Sequence, residues 1–470
     1  MRRELLFQIS FQRNDPHRNP YRLLPFMVPL GTKTIQIQYS YNKNQENIID
    51  LGLFDPRGSE FLQGFGFRGW SGSARDHVII SEGWATPGYL AGPIYPGTWQ
   101  ILLGLYKITC PCFCEVHVTL SDEPVDEIQV HGPRPCPGLS LLTPGWLKGD
   151  LHCHSCHSDA DGTVEELWAA ACRKNLHFLA ITDHNTTSHL RIIRELSSEQ
   201  VLLLPGQEIT SYKGHANAFG LWHWIDFRCT KDEEIRKVCD FVHASNGIFS
   251  LNHPKANGPN WEFSLDFDFD CLEVWHAFWQ LNNQESLALW DLLLRQGRRI
   301  VAVGGSDAHP QRLSQGYLLE WLGHPTVWAY AEEVTPEGLI QAIKLGRVSI
   351  SACPHGPFVM IELNNLSSHA NQGDLTELME GNLCAHVYNG DGLRFQLFSS
   401  KGLIAQARVT GHCWEWRKDI NLAEQGYVRA ELRIDLPGGK TELAALTNPI
   451  WYKPWLENRK GKLCKKHWCL

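Results

Sequence analysis

The sequence predicts an α/β chain, with a β-sandwich-like region before the α/β part and a small β-rich region after it. Three observations support this. Early strands alternate apolar and polar residues between turn signals. From about Trp146, short apolar strands alternate with helix-forming stretches. After about Pro354 the pattern is β-like again. At about 150 residues per domain, 470 residues suit about three domains. The expected divisions are 1–123 (sandwich-like), 124–145 (Pro-rich linker), 146–355 (strand–helix units) and 356–470 (β-rich, with a basic tail).

In the first division, Ile35, Ile37, Tyr39 and Tyr41 alternate with Gln36, Gln38 and Ser40. Trp99, Ile101, Leu103 and Leu105 repeat the pattern, as do Val116, Val118 and Leu120. Asp55-Pro56-Arg57-Gly58 and Pro96-Gly97 supply turns. Cys110, Cys112 and Cys114 read as strand positions rather than a soft-metal site. In the central division seven strands are expected, at 147–151, 178–182, 201–205, 216–221, 248–252, 271–275 and 300–303. Helices are expected from Thr163, where Glu166 completes a capping box, and over 232–245, 283–296 and 336–345. Such repeated units imply a barrel or an open α/β sheet. The last division shows strands at 359–363, 394–398 and 427–434.

Composition narrows the function. With 51 acidic and 43 basic residues, the net charge is −8, which disfavours a nucleic-acid partner. No apolar run approaches the ~18–20 residues of a membrane span. The N-terminus MRRELLFQISFQRND has no apolar core of a secretory signal. The cysteine count is odd, at fifteen, so mostly reduced thiols and a cytoplasmic location are expected. The six Lys/Arg after Ile450 read as a solvated end.

The chemistry concentrates at strand ends. In order come His152 and His154, Asp159, Asp183-His184, Glu208, His215, His253, and Asp307 with His309. Side chains two apart on a strand share a face, so His152 and His154 reach one ion. Burying this many ionisable groups together without a cation is costly. His, Asp and Glu are the donors that divalent transition metals use in hydrolytic sites.

Asp150-Leu-His-Cys-His154 with Ser158-Asp159, Thr182-Asp-His184, Gly206-Gln-Glu208, Asn252-His-Pro254 and Ser306-Asp-Ala-His309 resemble the motifs of the PHP (polymerase and histidinol phosphatase) superfamily. The later Leu322-Gly-His-Pro-Thr326 and Leu345-Gly-Arg347 segments resemble its CehA/McbA-like subgroup. The resemblance implies a distorted seven-stranded (βα) barrel holding two or three divalent ions (zinc, manganese or iron). It implies His152, His154 and Asp307 at a first metal, Asp159 and His184 at a second, and Glu208 bridging. It further implies His253 and His309 at a third metal or on the substrate, His215 as another ligand, and Asp183 as a residue orienting a ligand histidine. Glu208, His253 and His309 are the expected catalytic residues. Lys213, Lys255 and His276 are candidate substrate contacts. Ala160 departs from the family's usual glycine, and Lys255 follows Pro254.

The expected function is therefore a metal-dependent phosphoesterase acting on a small-molecule ester. The alternatives are a carbamate or carboxylic ester hydrolase on the same metals, and a non-catalytic binding protein with structural metals. Trp222, Trp224, Trp261, Trp275, Phe278 and Trp279 are candidates for an apolar pocket in the carbamate reading. The oligomeric state is left open.

Overall fold

The computed structural model describes residues 2–43, 46–125, 141–198, 200–256, 258–313, 316–317 and 320–463. Most of the expected linker and the final part of the basic tail lie outside these residues.

The alternating N-terminal strands form two four-stranded antiparallel sheets. One has the order Arg2–Phe11, Cys112–Ser121, Thr34–Tyr41, His77–Ser81. The other runs Tyr21–Val28, Gly97–Lys107, Ile48–Phe54, Phe67–Gly72. Ile35, Ile37, Tyr39, Trp99, Ile101, Leu103, Val116 and Val118 bury their side chains between the sheets. Cys112 and Cys114 belong to the same core, which is the strand reading of that motif.

The central sheet runs Val301–Gly305, Cys271–His276, Ile248–Leu251, Gly214–Phe219, Leu202–Ser211, Phe178–Ile181, Gly145–Cys153, Thr326–Ala331 and Val348–Ser351. It is mixed, and the expected seven-fold βα barrel is corrected on that point. Leu202–Ser211 and Gly214–Phe219 pair antiparallel, as do Gly214–Phe219 and Ile248–Leu251. The turn at Tyr212-Lys213 is the physical reason, because so short a link joins only antiparallel strands and leaves no room for a crossover helix. The ladder does not close. The residues that follow its first strand, Val301–Gly305, nevertheless reach Gly145–Cys153 through Asp307 N→His152 O (2.8 Å), His154 N→Ala308 O (2.9 Å) and a Cys153–Ala308 bridge. The sheet therefore curls, bringing distant strand ends to one mouth.

Helices cover this sheet at Val164–Arg173, Leu190–Leu196, Asp232–Ala244, Asn283–Arg295 and Pro336–Leu345. The first begins with the Thr163–Glu166 capping box. The short Leu190–Leu196 helix was not expected.

Beyond Ser351 the sheet continues into Thr441–Thr447, Tyr427–Asp435, Arg394–Ser399 and Gly402–Arg408. A second sheet, His369–Asn371, Phe358–Asn364, Glu380–Tyr388 and Cys413–Asn421, packs on it through Val359, Ile361, Leu383, Ala385, Leu397 and Leu432. Among the described residues no helix is long and apolar enough to cross a membrane. Eleven described cysteines are free thiols, whereas Cys172 is disulfide-bonded.

Candidate metal centre

Ten side chains converge at the mouth. His152 lies within the strand Gly145–Cys153, and His154 follows it. Both Nε2 atoms face Asp307 Oδ1, at 3.2 and 3.0 Å, and Glu208 Oε2, at 3.5 Å each. Glu208 sits in the strand Leu202–Ser211, where its two oxygens divide the site. Oε2 faces His152, His154 and His184, the last at 2.8 Å. Oε1 faces His215 at 3.1 Å and His253 at 3.5 Å.

Four groups of potential ligand atoms result: His154, Asp159, His184 and His309; His152, His154 and Glu208; Glu208, His215 and His253; and His253, His276 and Asp307. His309 thus stands with Asp159 (3.2 Å) rather than with His253. His276, expected as a substrate contact, instead faces Asp307 Oδ2 at 2.9 Å as a potential ligand.

The donors fit cations. His152 Nε2, His154 Nε2, Glu208 Oε2 and Asp307 Oδ1 are buried, with no hydrogen-bond partner. Unpaired buried polar atoms are costly, and four aimed at one another share the missing partner. A divalent ion answers this donor set of imidazoles and carboxylates.

Local backbone conformation aims them. His253 (φ 31°) and Asp307 (φ 50°) are left-handed, as are Asn185 (φ 57°), beside His184, and Ala277 (φ 49°), beside His276. Such conformations cost about 1–3 kcal/mol each and concentrate at functional sites. Gly305 permits the closest packing, since a Cβ there would lie 2.2 Å from His152 Cβ.

Electrostatics keep the carboxylates anionic. Burial alone would raise Glu208, but His184, His152 and His215 hold it well below the usual range. Asp307 is likewise lowered against its burial by His152, His154 and His276. His184 and His309 do the same for Asp159. Burial, with His309 and His184 adding to it, brings His154 down to about 4. His309 moves the other way, up to about 10, as Asp159 and Asp307 outweigh its burial.

Several supporting residues were not expected. Glu273 Oε1 meets His152 Nδ1 at 2.9 Å, and its Oε2 accepts from His253 N. Thr210 Oγ1 lies 2.6 Å from His184 Nδ1. Asn252 donates to Glu208 Oε1 at 2.9 Å. Asp183, which the resemblance already implies as a supporting residue, accepts from Ser155 N, Ser155 Oγ and Ser158 Oγ, and so ties down the loop that carries Asp159.

Of the two lysine candidates for substrate contact, Lys255 stands beside the centre, its Nζ donating to His276 O at 3.4 Å. Lys213 is exposed at the hairpin turn. Lys255 is buried, with Nζ donating to Asn283 Oδ1 at 3.0 Å. Among the aromatics, Trp261, Trp275 and Trp279 pack in or against the core, and Trp224 stacks on Phe67. Trp222 lines a separate cavity of about 1340 Å³ between the N-terminal sheets and the central sheet. Phe278 remains exposed beside His276 and packs edge-on against Trp321 at 5.3 Å.

Residues 150–281 match the family model described as the PHP domain. Over 121 residues the chain is 26% identical to the DNA polymerase/3'-5' exonuclease PolX of Bacillus subtilis, covering 26% of this chain and 21% of that protein. Over 64 residues it is 38% identical to the phosphoribosyl 1,2-cyclic phosphate 1,2-diphosphodiesterase of Eggerthella lenta, covering 13% of this chain and 24% of that protein. The chain thus spans less than a quarter of the length of either curated relative. Among solved structures, a two-domain protein from Bacteroides vulgatus, containing a predicted PHP-like metal-dependent phosphoesterase, is similar at TM-score 0.38 and 17% identity, over 67% of this chain and 100% of that one. An amidohydrolase from Chromobacterium violaceum gives TM-score 0.28 and 15% identity, over 44% of this chain and 97% of that one. Eight of the ten converging donors, all but Asp307 and His309, fall inside the segment that matches the PHP domain model.

Proposed function

We propose that this protein is a metal-dependent hydrolase of small-molecule esters, with phosphate esters as its substrates. One observation carries the reading: the Glu208 carboxylate, whose two oxygens each face a separate set of histidines. That is the disposition of a carboxylate shared between neighbouring ions. His152, His154 and Asp307 would hold one ion. Asp159 and His184 would hold a second, with His309 beside them, and His215, His253 and His276 would serve the remaining side. When bound, divalent cations at such donors lower the pKa of water and neutralise charge gathering on a phosphoryl group. Zinc, manganese and iron all suit the donor set.

The residues divide the remaining work by position. His253 is buried, so it is placed to hold and orient. The His309 side chain is 28% exposed at the rim beside Asp159, where a leaving group is within reach of its proton. Ten donors exceed the four that close a structural site, which favours catalysis over a purely structural metal role.

A second reading, hydrolysis of carbamates or carboxylic esters, agrees with the CehA/McbA-like motifs. It draws support from Phe278 and Trp321, which leave an aromatic surface beside His276. A Lewis acid polarises a carbonyl as well as a phosphoryl group.

The deciding experiment pairs elemental analysis of the purified chain with hydrolysis assays on aryl phosphomonoesters, phosphodiesters, carboxylic esters and carbamates. Two or three divalent ions per chain and chelator-sensitive phosphate-ester turnover are expected. Turnover of carbonyl esters alone would favour the second reading. Absence of bound metal after reconstitution would overturn both.

A further inference from the structure

The outer face of the C-terminal sheet carries a second set of metal-ligating atoms, far along the chain from the PHP domain. Leu383, Ala385 and Val387 point into the core, so Cys384 and His386 share the opposite face. Register places Glu362 beside Cys384 on one neighbouring strand and Glu415 beside His386 on the other. Cys384 Sγ lies 3.3 Å from His386 Nε2, which lies 3.5 Å from Glu362 Oε1. His386 Nδ1 faces Glu415 Oε2 at 3.8 Å.

We propose that Glu362, Cys384 and His386 form a mononuclear site for a soft divalent transition cation, zinc by its donor chemistry, with the fourth position open. Zn–S and Zn–N bonds of about 2.3 and 2.0 Å at tetrahedral angles put donors about 3.3–3.6 Å apart, the spacing these atoms already have. Glu415 adds an independent sign. At 3.8 Å the pair is not a direct hydrogen bond, but an anion on the Nδ1 side favours the tautomer protonated there and leaves Nε2 as the ligand atom. Arg417, opposite Cys384, is the local competitor for these acids, but its Nε is taken by Glu415 Oε1 at 2.6 Å. Cys384 is buried, while Glu362 and His386 are half-buried, so the site is shielded yet reachable. Binding requires the Cys384 thiol to give up its proton to solvent. The ion then clamps the strands Phe358–Asn364 and Glu380–Tyr388 together.

Cobalt(II) distinguishes this site from the PHP centre, because none of the ten donors there is a thiol. The full-length protein loaded with cobalt(II) chloride should show a thiolate-to-cobalt charge-transfer band. Cys384→Ser and His386→Ala should remove it, while Cys384→Ser leaves hydrolytic turnover and circular dichroism unchanged. Glu415→Gln, which removes no ligand, should weaken cobalt affinity by up to about tenfold, less than the loss of a directly hydrogen-bonded partner brings. No band at saturating cobalt, a band of undiminished intensity in Cys384→Ser, or unchanged affinity in Glu415→Gln would each overturn the proposal. None of these outcomes bears on the hydrolase reading, which rests on other residues.

Discussion

Glu208 and Glu273 are both fully buried carboxylates, yet they stand differently to the ions. Glu208 faces the histidines with both oxygens, whereas Glu273 hydrogen-bonds His152 Nδ1 and the His253 backbone. Losing Glu273 leaves the ligands in place but frees the His152 ring. Glu273→Gln should therefore lower metal affinity about 10–100-fold, recoverable with added metal. Glu208→Gln removes a ligand shared by two groups, so kcat/KM should fall by more than about a hundredfold and not recover with metal. Titration calorimetry with the metal, beside steady-state kinetics, separates the two. Wild-type turnover in a folded Glu208→Gln protein would exclude the shared-carboxylate reading. The ligand motifs were legible because H-x-H and D-x-H put donors on one face within a few residues. Glu273 was not, since a carboxylate between Leu272 and Val274 looks like the solvent side of an ordinary strand. Only the assembled sheet turns it toward His152. His276 escaped as a ligand for a similar reason, standing alone in its segment and gaining its role from Asp307, thirty-one residues on.

At the level of elements, local signals were read correctly where they are self-contained. The Thr163–Glu166 box is written in four consecutive residues and caps the helix as expected. The sheet's curvature is not local. It depends on a two-residue turn at Tyr212-Lys213 and on how far Val301–Gly305 swings toward Gly145–Cys153, which no single segment encodes. Gly305 sits at that junction. An alanine there would place Cβ 2.2 Å from His152 Cβ and 2.9 Å from Glu273 Oε1, so the strands must separate. Overpacking of this kind costs about 1–3 kcal/mol. Gly305→Ala should lower the denaturant midpoint accordingly and weaken metal binding in the same protein, since the displaced atoms belong to a ligand. Undiminished stability together with wild-type metal affinity would show that the junction yields without disturbing the centre.

Across the whole molecule, the N-terminal sheets act on the centre through the loop between His154 and Thr163. Arg75, next to the strand His77–Ser81, donates to Ser158 O at 2.8 Å and also to Cys156 O. Thr186 Oγ1 donates to Gly88 O at 2.7 Å, and Gly88 N to Ser188 Oγ at 3.0 Å, tying down the loop that follows His184. The contact is broad, with Phe67 stacked on Trp224 at 4.1 Å and Tyr212 Oη donating to Asp50 Oδ2 at 2.6 Å. Deleting one arginine therefore leaves the two parts docked and loosens chiefly the segment that carries Asp159. Hydrogen bonds from a charged donor contribute about 1.5–3 kcal/mol, or roughly ten- to a hundredfold in an equilibrium. Arg75→Ala should reduce metal affinity and kcat/KM within that range while leaving the thermal transition nearly in place. Arg75→Lys should recover little, because an ammonium lacks the planar fork that spans two carbonyls. If Arg75→Ala matches the wild type in metal affinity and kcat/KM, the N-terminal sheets have no hold on Asp159, and their role must be sought at the cavity beside Trp222 instead.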